Sequence, residues 1–132
     1  MRKSLLTTIA LPALAATVAA LGLTAGPAIA GDGDVEKARN CGGFRIELKV
    51  GPEDGGWEVE SDVDDARAGS DWRIVIRQDG RRVFNQVRTA GPGGDVEVDL
   101  RRPDTAGGDT FRFRAHPAGN PDRACSLRIT RP

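Results

Sequence analysis

The chain is poor in the residues that most catalytic and metal sites require. Its 132 residues include one His, two Cys, two Trp and no Tyr. One His and two Cys cannot supply the ligands of a four-coordinate zinc site without many carboxylates. A single His also leaves almost no choice of general base for a Ser or Cys nucleophile. We therefore expect no catalytic centre, no metal and no cofactor, and a chain of this length has room for one domain.

Long apolar runs are also missing, except at the N-terminus. Arg2 and Lys3 precede an uncharged stretch rich in Ala and Leu, and the small-residue sequence Ala28-Ile29-Ala30 follows it. This order is typical of a cleaved secretory signal. An uncleaved membrane anchor is the alternative, because about 19 apolar residues nearly suffice to span a bilayer. The A-x-A sequence favours cleavage. We predict a signal peptide over residues 1–30 and a flexible leader over residues 31–40. After cleavage, we expect a secreted, extracellular protein that is not attached to the membrane.

Cys41 and Cys125 lie near the two ends of the predicted mature chain. In an exported protein, an even pair of cysteines is most simply one disulfide; two free thiols or an intermolecular bridge is the alternative. In the chain-entropy model, closing such a long loop stabilises the fold by about 4–5 kcal/mol. The pair therefore predicts a bond that matters for folding.

Helical periodicity is missing from residue 31 onward, and a period of two replaces it. Apolar residues alternate with polar ones in seven segments, which is typical of half-buried strands. Asp79-Gly80 between two such segments predicts a two-residue hairpin turn. The segments are 44–50, 57–63, 72–77, 83–87, 96–100, 111–115 and 125–129. Seven short strands at regular spacing predict an all-β, antiparallel, two-sheet sandwich over residues 41–132.

The order of the segments resembles the fibronectin type III arrangement of immunoglobulin-like sandwiches. The hairpin of the third and fourth segments carries the resemblance, together with Trp72 at the start of the third. It implies one sheet of the first, second and fifth segments and another of the fourth, third, sixth and seventh. A disulfide between the first and last strands departs from immunoglobulin domains. The chain is also similar to small exported β-sandwich proteins of actinobacteria, which implies no activity, because this fold serves many functions.

Residues that could carry chemistry have simpler interpretations. His116, the only His, is expected to be a solvent-exposed loop residue. Trp57 and Trp72 fall in the inward phase of their segments, so we expect no exposed aromatic platform for a glycan. Four aspartates crowd the connection after the second segment: Asp62, Asp64, Asp65 and Asp71. Their spacing does not fit the twelve-residue calcium loop, and a hydrated acidic loop is favoured over a calcium site.

The outward charges of the two predicted sheets are opposite in sign. The second and fifth segments present acids: Glu58, Glu60, Asp62, Asp95, Glu97 and Asp99. The other sheet presents arginines: Arg73, Arg77, Arg82, Arg88, Arg112, Arg114 and Arg128. The overall balance of 19 basic and 19 acidic residues therefore conceals a basic face and an acidic one.

The predicted hairpin places Arg77 opposite Arg82, and Val75 opposite Phe84. Like charges directly opposite are mildly destabilising. Arginines around an exposed apolar pair suit an anionic partner, because guanidinium groups bind carboxylates and phosphates in pairs of hydrogen bonds. The candidate binding residues are Arg73, Arg77, Arg82, Phe84, Arg112 and Arg114. The expected partner is an anionic polymer or an acidic protein. Nucleic acid is disfavoured, because stacking aromatics are scarce.

Three other interpretations stay open from the sequence. The arginines could serve only to hydrate the sheet. The basic face of one copy could bind the acidic face of another in a head-to-tail manner, and the oligomeric state is open. A secreted inhibitor or small-ligand carrier would instead bind through loops, at residues 103–108 or 117–121.

Overall fold

The computed structural model describes residues 33–132, and the signal peptide predicted over residues 1–30 lies outside them. The described chain is built of strands, with one short 3-10 turn, Pro121–Arg123, before the last. The strands are β1 Val35–Asn40, β2 Arg45–Glu53, β3 Gly56–Asp64, β4 Asp71–Gln78, β5 Arg81–Thr89, β6 Val96–Pro103, β7 Asp109–Pro117 and β8 Cys125–Arg131.

The eight strands form two antiparallel sheets of four, in the orders β1-β2-β3-β6 and β5-β4-β7-β8. The all-β prediction and the grouping of the seven predicted segments into two sheets are therefore confirmed. The predicted number of strands is wrong by one. The additional strand is β1, at the edge of the first sheet.

β1 corrects the predicted flexible leader over residues 35–40. It pairs with β2 along its whole length, from Val35 opposite Val50 to Asn40 opposite Arg45. Lys37 Nζ also donates to the carbonyl oxygen of Arg128 in β8, at 2.9 Å. Five of the six residues of β1 are exposed. An edge strand held by backbone hydrogen bonds needs no apolar alternation, so the hydrophobic pattern gave no sign of it.

Inward side chains from both sheets form one hydrophobic cluster. Trp57 and Trp72 are buried in it, as their phase predicted. The rings of Phe44 and Trp72 meet edge to face, with centroids 4.7 Å apart. Ile46, Ile76 and Phe113 are completely buried, and each such side chain contributes roughly 1.5–3 kcal/mol on leaving water.

The predicted disulfide is confirmed: Cys41 and Cys125 are bonded, with Cα atoms 6.1 Å apart across a separation of 84 residues. Cys41 lies in the β1–β2 connection and Cys125 begins β8. The bond therefore joins the first sheet to the second at one end of the molecule.

The predicted Asp79-Gly80 hairpin turn is also confirmed. Asp79 and Gly80 have φ of 51° and 81°, as the tight turn that matches strand twist requires at both central positions. A second turn of this kind joins β2 to β3 at Asp54-Gly55, with φ of 49° and 78°. The sequence carried that signal, but the predicted segment ended at Val50, whereas β2 continues to Glu53.

Candidate binding face

A β-bulge in the β4–β5 hairpin decides which side chains share the outer face of the second sheet. Arg77 pairs with Arg82 as predicted, but the register then shifts, and Ile76 pairs with Phe84 instead of Val83. A bulge places two residues of one strand against one of its partner. Every β5 residue beyond it therefore changes face relative to the sequence prediction.

The predicted exposed pair of Val75 and Phe84 is consequently wrong. Phe84 aligns with the inward Ile76 and is half-buried, packed against the core. Val75 does lie on the outer face, but its side chain is only 8% exposed. The two-residue turn fixed the register only as far as the bulge.

The bulge also removes Arg88 from the outer face. Arg88 pairs with the inward Trp72, and its guanidinium lies 5.4 Å from the centre of the Phe84 ring. Asn85 and Val87 take outer positions instead, opposite Val75 and Arg73. Val87 is 42% exposed, the one exposed large apolar side chain among residues 33–132.

Four arginines form a single row across the whole second sheet. Arg82 pairs with Arg77, Arg77 with Arg112, and Arg112 with Arg128. Each strand thus contributes one arginine, and neighbouring strands are about 4.8 Å apart. We call Arg82, Arg77, Arg112 and Arg128 the arginine row. Only the pair of Arg82 and Arg77 was predictable from the sequence, because the other two pairs join strands that are distant in sequence.

Two more arginines extend the row into a wider surface. Arg114 follows on β7, opposite Val75 and Ser126. Arg73 lies further along β4 and donates to Asn85 Oδ1 at 3.2 Å. We call the arginine row together with Arg73 and Arg114 the arginine face. It contains every arginine among the predicted binding residues, and only Phe84 lies outside it.

The arginine face has no internal counter-charges. The ion pairs within residues 33–132 involve Arg45, Lys49 and Arg101 as cations, all on the first sheet. No carboxylate of the described chain pairs with a side chain of the arginine face. Like charges directly opposite cost roughly 0.2–1 kcal/mol per pair, so the isolated protein bears an electrostatic cost that a bound anion would remove.

The outer face of the first sheet is acidic, as predicted. Glu97, Asp62 and Glu47 form a row across β6, β3 and β2. We call this row, with its neighbours Asp99 and Asp64, the acidic face. Two cations lie beside acids on this side of the first sheet. Lys49 pairs with Glu60, and Arg45 NH1 lies 3.5 Å from Glu47 Oε2. The pKa of Asp62 is raised to about 7, mainly by burial. The negative charges of neighbouring acids add to this effect, in the order Glu97, Asp64, Glu47 and Asp99.

Replacement of Asp62 by Asn is expected to stabilise the protein clearly more at pH 8 than at pH 5. The folded pKa of about 7 exceeds the ordinary Asp value of about 3.9. The stability linked to Asp62 is therefore fully present below about pH 4 and is lost as the pH rises through 7. Because the group is partly hydrated, we expect a gain of only about 1–2 kcal/mol at pH 8.

Urea unfolding at both pH values tests this expectation. Glu36→Gln is the matched control, because it removes one charge from an exposed position of the same sheet that does not contribute to the raised pKa of Asp62. The control should shift stability similarly at the two pH values. An equal gain for Asp62→Asn at pH 5 and pH 8 would contradict the assigned protonation.

A buried polar cluster lies near the loop of residues 103–108, and sequence analysis missed it. Asp109, completely buried at the start of β7, accepts hydrogen bonds from Trp57 Nε1 at 2.9 Å and Gln78 Nε2 at 3.0 Å. The hydroxyl and amide of Thr105 donate to it as well. Burial alone would raise the pKa of Asp109, but these four hydrogen bonds outweigh it and hold the pKa below its ordinary value.

Each end of the molecule also has a surface cavity next to one of the two predicted loops. A cavity of about 330 Å³ borders Gln78 and Pro103. The Gln78 amide there is already occupied, since it donates to the Pro103 carbonyl and accepts from Arg102 Nε. A cavity of about 510 Å³ at the other end is lined by Gly43, Phe44, Asp65, Ala66, Arg67, Ser70, Trp72, Pro117 and Arg123. Its size suits a small ligand.

His116 corrects another expectation. It lies within β7, is only 8% exposed, and its Nδ1 lies 2.7 Å from the carbonyl oxygen of Pro117. The predicted exposed loop position is therefore wrong. His116 follows Arg112 and Arg114 in the outward phase and lies opposite Arg73, where neighbouring side chains cover it.

Comparison with protein-family models and with curated proteins finds no match for this chain. Within residues 33–132, no group of three or more His, Cys, Asp or Glu side chains is placed to hold a metal ion. The same part of the chain contains no helix long and apolar enough to cross a membrane.

Proposed function

We propose that this protein is an exported, non-catalytic binding module of the fibronectin type III kind, and that its arginine face binds an anionic polymer of the cell envelope or an acidic protein. The two four-stranded sheets and the strand order support the fold type, with β1 as an addition. The Cys41–Cys125 disulfide supports export, because such bonds persist in oxidising compartments.

The arginine row is the observation that carries the proposed function. Three pairs of directly opposed arginines occur in one line without a carboxylate partner in the described chain. A guanidinium is a rigid fork that binds a carboxylate or phosphate through two hydrogen bonds. A chain of anions along the row would thus convert repulsion between neighbours into attraction.

The near-zero net charge makes the expected binding specific to this face. The whole chain has equal numbers of basic and acidic residues, so long-range attraction to a polyanion is weak. A polyanion that binds must therefore select the arginine face over the acidic one. Such binding would weaken steeply with salt, since exposed charges are screened within about 10 Å at 0.1 M ionic strength.

The variant Arg77→Ser/Arg112→Ser should bind poly-L-glutamate about 10- to 100-fold more weakly than the wild type in calorimetry at low salt, because it loses two charged hydrogen-bond donors. The control Arg67→Ser/Arg123→Ser removes the same charge from exposed positions outside the face. It should bind within about threefold of the wild type, since it keeps the whole row. Equal weakening in both variants would show an effect of net charge alone and would contradict the proposal.

The cavity of about 510 Å³ supports a second candidate function, in which the loops bind a small ligand. Arg67 and Arg123 line it above the Phe44–Trp72 pair, and the guanidinium of Arg123 lies 5.8 Å from the centre of the Phe44 ring. Cations beside aromatic rings suit a small aromatic acid. Loss of binding confined to the Arg67→Ser/Arg123→Ser variant would favour this candidate over the arginine face.

A further inference from the structure

The two outer faces of the protein are complementary in charge and similar in spacing. The arginine row has one side chain from each of four neighbouring strands. The acidic row of Glu97, Asp62 and Glu47 has one from each of three. Both rows therefore repeat at the distance between neighbouring strands, about 4.8 Å. One guanidinium can meet one carboxylate along the whole shorter row.

The two faces also match along the direction of the strands. Arg112 and Arg114 are two residues apart on β7, and Glu97 and Asp99 are two apart on β6. Side chains at this separation point to the same side of a strand and lie about 6.7 Å apart. A pair of arginines on one copy can thus meet a pair of acids on another without distortion of either backbone.

The charges needed for such a contact are available. Glu97 and Asp99 take part in none of the ion pairs of residues 33–132, whereas Glu47, the last acid of the row, already pairs with Arg45. The contact therefore centres on Glu97 and Asp99. Glu97 and Asp99 are also exposed, as is Arg112. Neither face would have to break an internal ion pair at these positions.

We infer that the partner of the arginine face is the acidic face of a second copy of this chain, an inference that rests on the proposed function and names its anionic partner. The contact joins two different surfaces, so a pair of copies keeps one free arginine face and one free acidic face. Repetition of the contact adds further copies head to tail, and an open chain grows unless the rotation closes a ring.

Charge also excludes the symmetric alternative for these faces. A two-fold dimer through the arginine face would place arginines against arginines, and one through the acidic face would place carboxylates against carboxylates. Like charges across an interface repel each other and disfavour the contact. Association through these surfaces must therefore be head to tail.

Sedimentation velocity of the purified, oxidised, secreted protein tests the inference. At about 20 mM salt, the average mass of the wild type should rise with concentration beyond that of a dimer. At about 500 mM salt it should return to that of a monomer, because screening shortens the reach of exposed charges. Addition of poly-L-glutamate should also dissociate the wild-type chains, since it competes for the arginine face, and this arm needs no variant.

Two matched charge reversals sharpen the test. Arg112→Glu/Arg114→Glu reverses two charges of the arginine face, and Glu97→Arg/Asp99→Arg reverses the two acids that these arginines are expected to meet. Each variant alone should stay monomeric at low salt. An equimolar mixture should assemble again, because the exchanged pairs are complementary to each other and the two unsubstituted pairs still match. Arg39→Glu/Arg67→Glu is the control for net charge, because it has the same net charge as Arg112→Glu/Arg114→Glu but keeps both faces. It should assemble by itself at low salt as the wild type does, and loss of assembly in this variant too would show an effect of net charge alone.

The outcomes separate this inference from the proposed function. A wild type that stays monomeric at low salt but binds poly-L-glutamate through Arg77 and Arg112 overturns the inference and leaves the proposed function standing. If the wild-type protein neither assembles at low salt nor binds poly-L-glutamate, both the inference and the proposed function are overturned. Assembly that stops at a dimer, or that resists high salt and poly-L-glutamate, contradicts a head-to-tail contact between the two faces.

Discussion

Replacement of both cysteines, Cys41→Ser/Cys125→Ser, should lower the free energy of unfolding by about 4–5 kcal/mol. The bond closes a loop across 84 residues, and in the chain-entropy model its main effect is to restrict the unfolded chain. Domains of this size have a total stability of about 5–15 kcal/mol. The variant should therefore be close to unfolding at room temperature.

Urea unfolding and thermal melting measure this loss directly. A loss of that size lowers Tm by roughly 15–35 °C in a domain of about 100 residues. Reduction of the wild-type protein should produce the same change as the double substitution. Arg39→Ser, an exposed substitution near Cys41, is the control and should change Tm very little. A fall of only a few degrees after reduction would show that packing alone holds the two sheets together.

Asp109→Ala is expected to cost about 3–5 kcal/mol, because it removes the acceptor of several donors at once. Trp57 Nε1 and the Thr105 amide lose the acceptor that each now has, and Gln78 Nε2 keeps only the Pro103 carbonyl oxygen. An unsatisfied buried donor costs roughly 1–3 kcal/mol. The three donors come from β3, β4 and the loop before β7, so the loss affects both sheets.

The pH dependence provides a second measurement on Asp109. Its hydrogen bonds hold its pKa below the ordinary value, so the unfolded chain takes up a proton at a higher pH than the folded protein does. The stability linked to this shift is fully present above about pH 4 and is lost as the pH falls further. The difference between wild type and Asp109→Ala should narrow on acidification.

Asp122→Ala is the control for this prediction, because Asp122 is an exposed acid in the 3-10 turn. It should lie within about 0.5 kcal/mol of the wild type. A loss of less than about 1 kcal/mol for Asp109→Ala would mean that water replaces the carboxylate as acceptor, and that the cluster does not join the sheets.

The strands and the core were largely predictable, because they depend on neighbouring residues. Side chains on a strand alternate between its two faces, so the run from Phe44 to Val50 identifies a buried face without knowledge of its partner. Asp79-Gly80 specified its own turn for a similar reason, since the required φ belongs to those two residues. β1 was missed because its partner's backbone holds it in place, and Lys37 and Arg39 show no apolar pattern.

The candidate site was only partly predictable. The sign of each face follows from alternation, and five of the six predicted binding residues do lie on the arginine face. Phe84 does not, because a bulge beside Arg77 shifts the register of β5. Nothing in the local sequence indicated that bulge. The buried positions of His116 and Asp109 were missed because the residues that cover them or bond to them are distant in sequence.

By itself, the sequence determined the class of secondary structure, the inward face of most strands, the hairpin turn at Asp79-Gly80 and the opposite charges of the two sheets. These features depend on a period of two residues or on the conformation of a dipeptide, and both are local. Only the tertiary structure decided the arginine row, which needs the register of four strands at once. It also decided the cluster around Asp109, because a buried carboxylate is stable only where donors from other strands converge on it.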